Sequence, residues 1–406
     1  MSGWVPILEG ADAEAAWTAI RAVARAVADG AGERHQRADL LLFWSYLAGA
    51  LDEDWIVAAH ERAFADVIDE LPHVPGRGLI GGLAGTAWVL AHVAEPETVD
   101  ELLAPIDASF ERELAADAWD GSYDLIGGLV GRGIYLLERH RTSGAPPARR
   151  ALARVLDHLL ALGEPTPDGM AWFTPPRLVP EGHHEAWPDG YFNYGLAHGN
   201  PGVVALLGRL AELPEPRAAA ACLEATRWLL AQRLPPHPRG RYPLVVARGE
   251  RPLERTRAAW CYGDPGVAVA LWGAAARCGR SSELADAQAL GRECAARAFV
   301  DSGVVDPGLC HGAAGLAHIF NRMYQASGDE VFRTAATTWL ARTLAMRREG
   351  GLGGFAAWTA PRRGDRPAWV PVADVLDGAL GVALALLAAV HSIEPGWDRL
   401  LLCDVR

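Results

Sequence analysis

The sequence predicts an all-α protein of the α/α toroid class, a double ring of about seven helical hairpins in one domain that spans residues 1–406. A Gly-x-x-Gly pattern followed by an apolar run returns six times, and amphipathic stretches with helical periodicity lie between these runs. Signals for strands are few. A closed ring is favoured over an open solenoid because the apolar runs are hydrophobic on nearly every face, as helices buried on all sides are.

The glycine patterns predict the inner helix of each hairpin. Two glycines three positions apart let a turn pass close to its neighbours and start a helix, since neither residue has a Cβ that could clash. We therefore expect an inner helix after each of the six patterns, at 82–85, 128–131, 199–202, 263–266, 312–315 and 378–381.

The outer helices are predicted by amphipathic stretches such as "RALARVLDHLLALG" (150–163), in which apolar residues recur at helical spacing. The stretch "RADLLLFWSYLAGALDEDW" (37–55) has the length and position of a further hairpin but lacks the glycine pair. This stretch is the seventh predicted hairpin. One short β-ribbon is expected at "RYPLVVA" (241–247).

Composition narrows the class of protein. Half of the residues are hydrophobic and the formal net charge is −12, which argues against disorder and against nucleic acid as a partner. The longest apolar runs, such as 378–390, are shorter than the roughly 20 residues that a membrane span needs. Residues 1–17 lack the charged and apolar regions of a signal peptide. We expect a cytoplasmic protein without membrane insertion.

The chemically distinctive residues occupy equivalent positions of the repeat. The position immediately before the first glycine carries a histidine or tyrosine in three repeats, and the position before that carries a cysteine in two. Equivalent positions in a ring face the same end, so four of these side chains should converge there: His198, Cys261, Cys310 and His311. Asp124, four residues before the first glycine of the second pattern, is expected at the same end.

Cys261, Cys310 and His311 form a predicted zinc site with one ion per chain. Structural zinc takes four protein ligands, whereas three ligands leave a position open, as in catalytic sites. Two thiolates and a neutral imidazole balance the charge of Zn²⁺, so the centre is well suited to a substrate thiol.

The motifs "AHGNPG" (197–202), "WCYGDPG" (260–266) and "LCHGAAG" (309–315) resemble those of the stand-alone lanthionine synthetase C family, the lanthipeptide cyclases. The resemblance covers essentially the whole chain. It implies a toroid of seven helical hairpins. It also implies an enzyme that adds cysteine thiols of a dehydrated precursor peptide to dehydroalanine or dehydrobutyrine, forming lanthionine or methyllanthionine rings. A dehydratase and a transporter are the further partners expected for such a cyclase.

The resemblance also implies roles for individual residues. The family's zinc ligands correspond to Cys261, Cys310 and His311, and its other active-site residues correspond to Asp124, His198, Arg257 and Tyr262. We expect His198 to transfer a proton and Arg257 to stabilise the enolate formed by thiol addition. Asp124 would either orient His198 or pair with Arg257. Tyr262 would either donate a hydrogen bond or only pack.

Two alternatives from other functional classes stay open at this stage. The chain could be a non-catalytic peptide-binding scaffold of a modification complex. It could also be another α/α-toroid enzyme that activates thiols on zinc, such as a prenyltransferase or a glutathione-adding enzyme. Zinc content and a cyclisation assay would separate the scaffold from the first interpretation.

Overall fold

Helices dominate the part of the chain described by the structure, a computed structural model in which residues 3–31, 37–250, 255–360 and 364–405 are described. In chain order the helices are α1 (Gly10–Ala28), α2 (Arg37–Ala50), α3 (Asp54–Glu70), α4 (Leu83–Val93), α5 (Pro96–Leu114), α6 (Leu129–Ser143), α7 (Pro146–Leu162), α8 (Asn200–Leu210), α9 (Pro216–Ala231), α10 (Asp264–Arg277), α11 (Ser281–Ala295), α12 (Phe299–Ser302), α13 (Ala313–Ser327), α14 (Glu330–Ala345) and α15 (Ala379–Val390). None of the described helices is both long and apolar enough to cross a membrane.

The predicted inner helices are confirmed. Helices α4, α6, α8, α10, α13 and α15 each begin at the residue after the first glycine of a pattern, and that glycine is the N-cap. These helices are buried on nearly every face; in α15, for example, every residue from Ala379 to Ala389 is buried. Helix α2 is the inner helix expected within 37–55.

The outer helices are amphipathic, as predicted, and several of them pack on the inner helix that precedes them. Helix α3 packs on α2, α5 on α4, α7 on α6, α9 on α8, and α14 on α13. The N-terminal helix α1 packs instead on the last inner helix, α15. Because the outer helices bury only one face, the hydrophobic core lies along the inner helices.

The chain forms two compact units. Unit 1 comprises residues 1–73, 258–260 and 292–397, and unit 2 comprises residues 74–257, 261–291 and 398–406. Within unit 2 the inner helices α4, α6, α8 and α10 pack side by side in this order. Within unit 1 the corresponding order is α13, α15 and α2. The assignment of residues 1–406 to a single domain stays a prediction.

The strands are short and lie in the connections between helices. They are β1 (Glu164–Thr166), β2 (Gly169–Ala171), β3 (Phe173–Thr174), β4 (Tyr191–Asn193), β5 (Val245–Val246), β6 (Ala357–Thr359) and β7 (Ala368–Val370). The ribbon expected at 241–247 is reduced to β5, which pairs with β4. The antiparallel pairs β1–β2 and β6–β7 were not predicted from the sequence.

In unit 2, backbone hydrogen bonds join the turns that precede successive inner helices, and these bonds form a ladder that fixes the register of the turns. The N–H three positions before the first glycine donates to the C=O two positions before the first glycine of the next pattern. Leu79 donates to Ile126 over 2.8 Å, and Leu125 donates to Ala197 over 3.1 Å. The next bond starts one residue later, from Ala197 N–H to Cys261 C=O at 3.3 Å.

Unit 1 contains the same ladder of hydrogen bonds. Trp260 N–H donates to Cys310 C=O over 3.1 Å, and Leu309 N–H donates to Leu376 C=O over 2.9 Å. The equivalent donor in the last pattern is Val375 N–H. It donates over 3.1 Å to the carboxylate of Asp39 in α2. The side chain of Asp39 therefore takes the place of the carbonyl that the hairpin without a glycine pair does not supply.

The second glycine of four patterns (Gly85, Gly131, Gly315 and Gly381) is needed because the segment that donates to the ladder lies against the start of the inner helix. A Cβ at Gly85 would overlap the carbonyl oxygen of Leu79, and one at Gly381 would overlap that of Val375. Leu79 and Val375 are also the residues whose N–H groups donate to the ladder. The glycine thus allows the close approach of the segment that carries the ladder donor.

We predict that Gly381→Ala lowers the free energy of unfolding by about 1–3 kcal/mol, because Val375 must move away from the new methyl group and weaken its bond to Asp39. Urea unfolding followed by circular dichroism measures the change. Gly182→Ala is the control, since a Cβ there meets nothing within 4 Å. Equal midpoints for the two variants would contradict the proposed close approach.

Asp39, the acceptor at the end of the ladder, is also expected to make the stability of the protein depend on pH. Burial, together with the neighbouring Asp374, raises the pKa of Asp39 from 3.8 to about 7. Between these values the folded chain binds more protons than the unfolded chain, so Asp39 makes stability fall as pH rises. Asp39→Asn keeps an acceptor oxygen for Val375 without the charge. We expect it to reduce the loss of stability between pH 4 and pH 7 in thermal unfolding; an unchanged pH profile would contradict this.

Candidate active site

Three of the predicted site residues come together in the structure. The sulfur atoms of Cys261 and Cys310 and a ring nitrogen of His311 all lie within 4.8 Å of one another. Cys261 is buried, and the other two residues are partly exposed. The three side chains form a group that could hold a metal ion, as expected from their common register in the repeat.

The backbone of both cysteines is held by the ladder. Cys310 donates its N–H to Leu376 over 2.8 Å, and its C=O accepts from Trp260. The C=O of Cys261 accepts from Ala197. Each cysteine is therefore fixed by hydrogen bonds of its main chain. Thiolate sulfur and imidazole nitrogen are preferred donors for Zn²⁺, so the donor set fits zinc.

Two carboxylates flank His311. Asp306 Oδ2 lies 3.7 Å from Nε2 of His311, and Asp377 Oδ1 lies 3.7 Å from Nδ1. Asp306 is itself buried, and its carboxylate accepts hydrogen bonds from the N–H groups of Gly308 and Trp358, both at 3.1 Å. One ring nitrogen of His311 belongs to the metal-binding group, and a carboxylate beside the other nitrogen of such a histidine commonly orients the ring.

Sequence reasoning missed Asp306, although the repeat contains a signal for it. The position six residues before the first glycine is polar in four of the six patterns: Ser122, Asn193, Arg257 and Asp306. Only Arg257 of these was singled out, through the family resemblance. The shared register would have pointed to the other three.

Asp124 lies against His198 in unit 2. Its Oδ2 is 2.8 Å from Nδ1 of the histidine, and its Oδ1 accepts the N–H of Gly127 over 3.0 Å. The side chain of His198 is 43% exposed, whereas that of Asp124 is 14% exposed. Of the two partners left open by the sequence for Asp124, the structure therefore shows His198. Its Nδ1 is bound, so Nε2 is the nitrogen left for other chemistry.

Tyr262 both packs and takes part in a hydrogen bond. Its ring stacks on that of His198 at 6.0 Å between centroids, and its hydroxyl oxygen accepts from the side-chain amide of Asn193 over 3.1 Å. Burial is the main cause that raises the pKa of Tyr262 above its ordinary value. The phenol therefore keeps its proton at neutral pH and can still donate it in a hydrogen bond.

Arg257 precedes Cys261 in the same connection and is partly exposed. Its carbonyl packs against Gly263, which has a φ of +104° and could not carry a Cβ there. Among the residues that the structure describes, no carboxylate pairs with the guanidinium of Arg257. Its positive charge is thus not neutralised by Asp124, the second partner considered from the sequence. The catalytic roles of all four residues stay predictions.

The chain is similar to known proteins in both sequence and fold. The profile of the family described as "Lanthionine synthetase C-like protein" matches residues 38–402. Among solved structures, nisin cyclase is similar with a TM-score of 0.74 and 18% sequence identity, over 91% of each chain. An alpha-mannanase from Bacteroides thetaiotaomicron has a TM-score of 0.50 and 11% identity, over 92% of this chain and 95% of its own.

These matches establish the fold class and the family. The likeness to nisin cyclase shows that the fold is an α/α toroid, as predicted from the glycine patterns. The family profile covers most of the chain and includes every residue of the candidate site. The chain belongs to the lanthionine synthetase C-like protein family.

Proposed function

We propose that this protein is a zinc-dependent lanthipeptide cyclase. It joins cysteine thiols of a dehydrated precursor peptide to dehydroalanine or dehydrobutyrine residues and so forms lanthionine or methyllanthionine rings. The observation that carries the proposal is the group of two cysteine sulfurs and one histidine nitrogen within 4.8 Å, in a chain of this family. A thiol is the substrate group that such donors suit.

Cys261, Cys310 and His311 would hold one zinc ion per chain. When bound, zinc lowers the pKa of a coordinated thiol, so that its sulfur is nucleophilic at neutral pH. One ring nitrogen of His311 would bind the ion, and the carboxylate 3.7 Å from the other nitrogen, Asp306 at Nε2 or Asp377 at Nδ1, would orient the ring. With three protein ligands, a bound zinc ion would have a coordination position open to the substrate.

His198 is the proposed acid–base residue. The reaction forms one C–S bond at the β-carbon of the dehydro residue, releases the thiol proton and adds a proton at the α-carbon. A histidine suits this exchange because its ordinary pKa lies near neutrality. Asp124 is a positioning residue, since its contact with Nδ1 of His198 sets the ring orientation and leaves Nε2 to carry the proton.

Arg257 and Tyr262 are proposed to stabilise the enolate. Negative charge develops on the carbonyl oxygen of the dehydro residue when sulfur adds to it, and a fixed cation or O–H donor lowers the energy of that state. The guanidinium of Arg257 makes no ion pair within the described residues, and the phenol of Tyr262 retains its proton. Both groups are therefore in the state that this role requires.

A cyclase of this kind acts on peptides that another enzyme has dehydrated and a transporter then exports. We accordingly propose a dehydratase and a transporter as partners, and a cytoplasmic location. The net charge of −12 argues against nucleic acid as a partner.

We predict that Cys310→Ala stays folded and loses zinc, because two ligands are too few to retain it. Elemental analysis of purified protein measures the zinc content per chain, and circular dichroism checks the fold. Cys278→Ala is the matched control, since Cys278 is a partly exposed free cysteine outside the group. Full zinc content in Cys310→Ala would rule out this ligand set.

His198→Asn is predicted to keep zinc and peptide affinity while cyclisation slows by about 100-fold or more, since asparagine cannot transfer a proton. Mass spectrometry after alkylation of free thiols follows ring closure on a dehydrated peptide. His237→Asn, a change of an exposed histidine, should cyclise at the wild-type rate. Loss of zinc in His198→Asn would instead make His198 a ligand and contradict the proposed mechanism.

A further inference from the structure

The hairpin formed by β6 and β7 in unit 1 has two different faces. Ala357, Val370 and Val372 form a small buried cluster on one side. On the other side, Trp358 and Trp369 are directly opposite each other in the pairing and are 38% and 39% exposed. Large aromatic residues are among the most costly to leave in water. The buried face accounts for the folding of this hairpin, but it does not account for two exposed tryptophans.

The two indole rings form a defined surface. Their centroids are 5.1 Å apart with an angle of 54° between the planes. The guanidinium of Arg348 lies 3.6 Å from the centroid of the Trp369 ring, a cation–π contact that limits the motion of that ring. A held pair of rings loses little conformational entropy when a ligand binds to it.

A single side chain connects this surface to the candidate active site. Asp306 Oδ2 accepts the N–H of Trp358 over 3.1 Å and lies 3.7 Å from Nε2 of His311. The other oxygen of Asp306 accepts the N–H of Gly308, in the turn that carries Cys310 and His311. The hairpin is therefore fixed to the turn that supplies two of the three proposed zinc ligands.

We propose that Trp358 and Trp369 form a docking surface for the dehydrated peptide, next to the site where its thiol reacts. This inference rests on the proposed function, because it takes the cyclase substrate as the occupant. Dehydroalanine and dehydrobutyrine are planar, uncharged and conjugated, and planar π-systems pack on aromatic faces. The flexible peptide would gain affinity from this contact and present its cysteine and dehydro residues close to His311.

The test uses the full-length zinc-loaded protein with Trp358→Ala, Trp369→Ala and the double variant. The probe is a fluorescein-labelled synthetic peptide with one dehydroalanine and one cysteine; for binding, iodoacetamide blocks the cysteine so that no ring forms. Fluorescence anisotropy gives Kd, and the unblocked peptide gives KM and kcat. We expect each variant to raise Kd and KM by about three- to tenfold, with kcat and zinc content unchanged.

Phe299→Ala is the matched control, because Phe299 is 41% exposed in the same unit and also lies under an arginine, with Arg342 4.4 Å from its ring. Trp358→Phe and Trp369→Phe should restore most of the affinity, whereas a general loss of folding would lower it in both series. Wild-type Kd in the double variant, or absence of peptide binding by the wild type, would overturn the inference. A wild type that binds the peptide without closing rings would instead refute the proposed function.

Discussion

The backbone hydrogen bond between successive turns is the constraint on which the rest of the structure depends. In each unit it joins the N–H three positions before one glycine pair to the C=O two positions before the next, with Ala197 shifted by one residue. Because the bond fixes the register of neighbouring turns, side chains at equivalent positions of the repeat lie at the same level. At Gly85, Gly131, Gly315 and Gly381 the absence of a side chain permits this bond, because a Cβ there would overlap the carbonyl oxygen of the residue whose N–H donates.

The same constraint places the candidate chemistry. The residues that accept in the ladder are Ile126, Ala197, Cys261, Cys310 and Leu376. The two proposed metal-binding sulfurs therefore belong to residues whose carbonyls the ladder holds. A ligand fixed by its own main chain does not need a rigid helix around it. This explains how cysteine and histidine can be neighbours in an irregular turn and still converge on one point, as Cys310 and His311 do.

Much of this could be predicted from sequence, for a physical reason. A glycine pair indicates that two backbone segments approach closely, because glycine is the residue without a Cβ that would clash there. The pairs therefore predicted the starts of the inner helices and the common register of Cys261, Cys310 and His311. The contribution of Asp39 could not be found in this way. Asp39 lies in the hairpin that lacks the glycine pattern, and its side chain replaces a backbone acceptor. Its contact with Val375 is a feature of the folded chain that no sequence pattern marks. The hairpin of β6 and β7 was missed because its strands have three residues each, too few for a periodic signal.

The sequence left two partners open for Asp124, and in the folded chain its carboxylate contacts His198. His198 and His311 occupy equivalent positions, yet the residue before His198 is Ala197 and the residue before His311 is Cys310. Where the preceding residue supplies sulfur, the imidazole joins the proposed ligand group. Where it does not, the imidazole is held through Nδ1 by the carboxylate of Asp124, and Nε2 is the nitrogen available for the proposed proton transfer. One position of the repeat therefore carries a proposed metal ligand in one turn and the proposed acid–base residue in another, and the two turns differ in the residue that precedes the histidine.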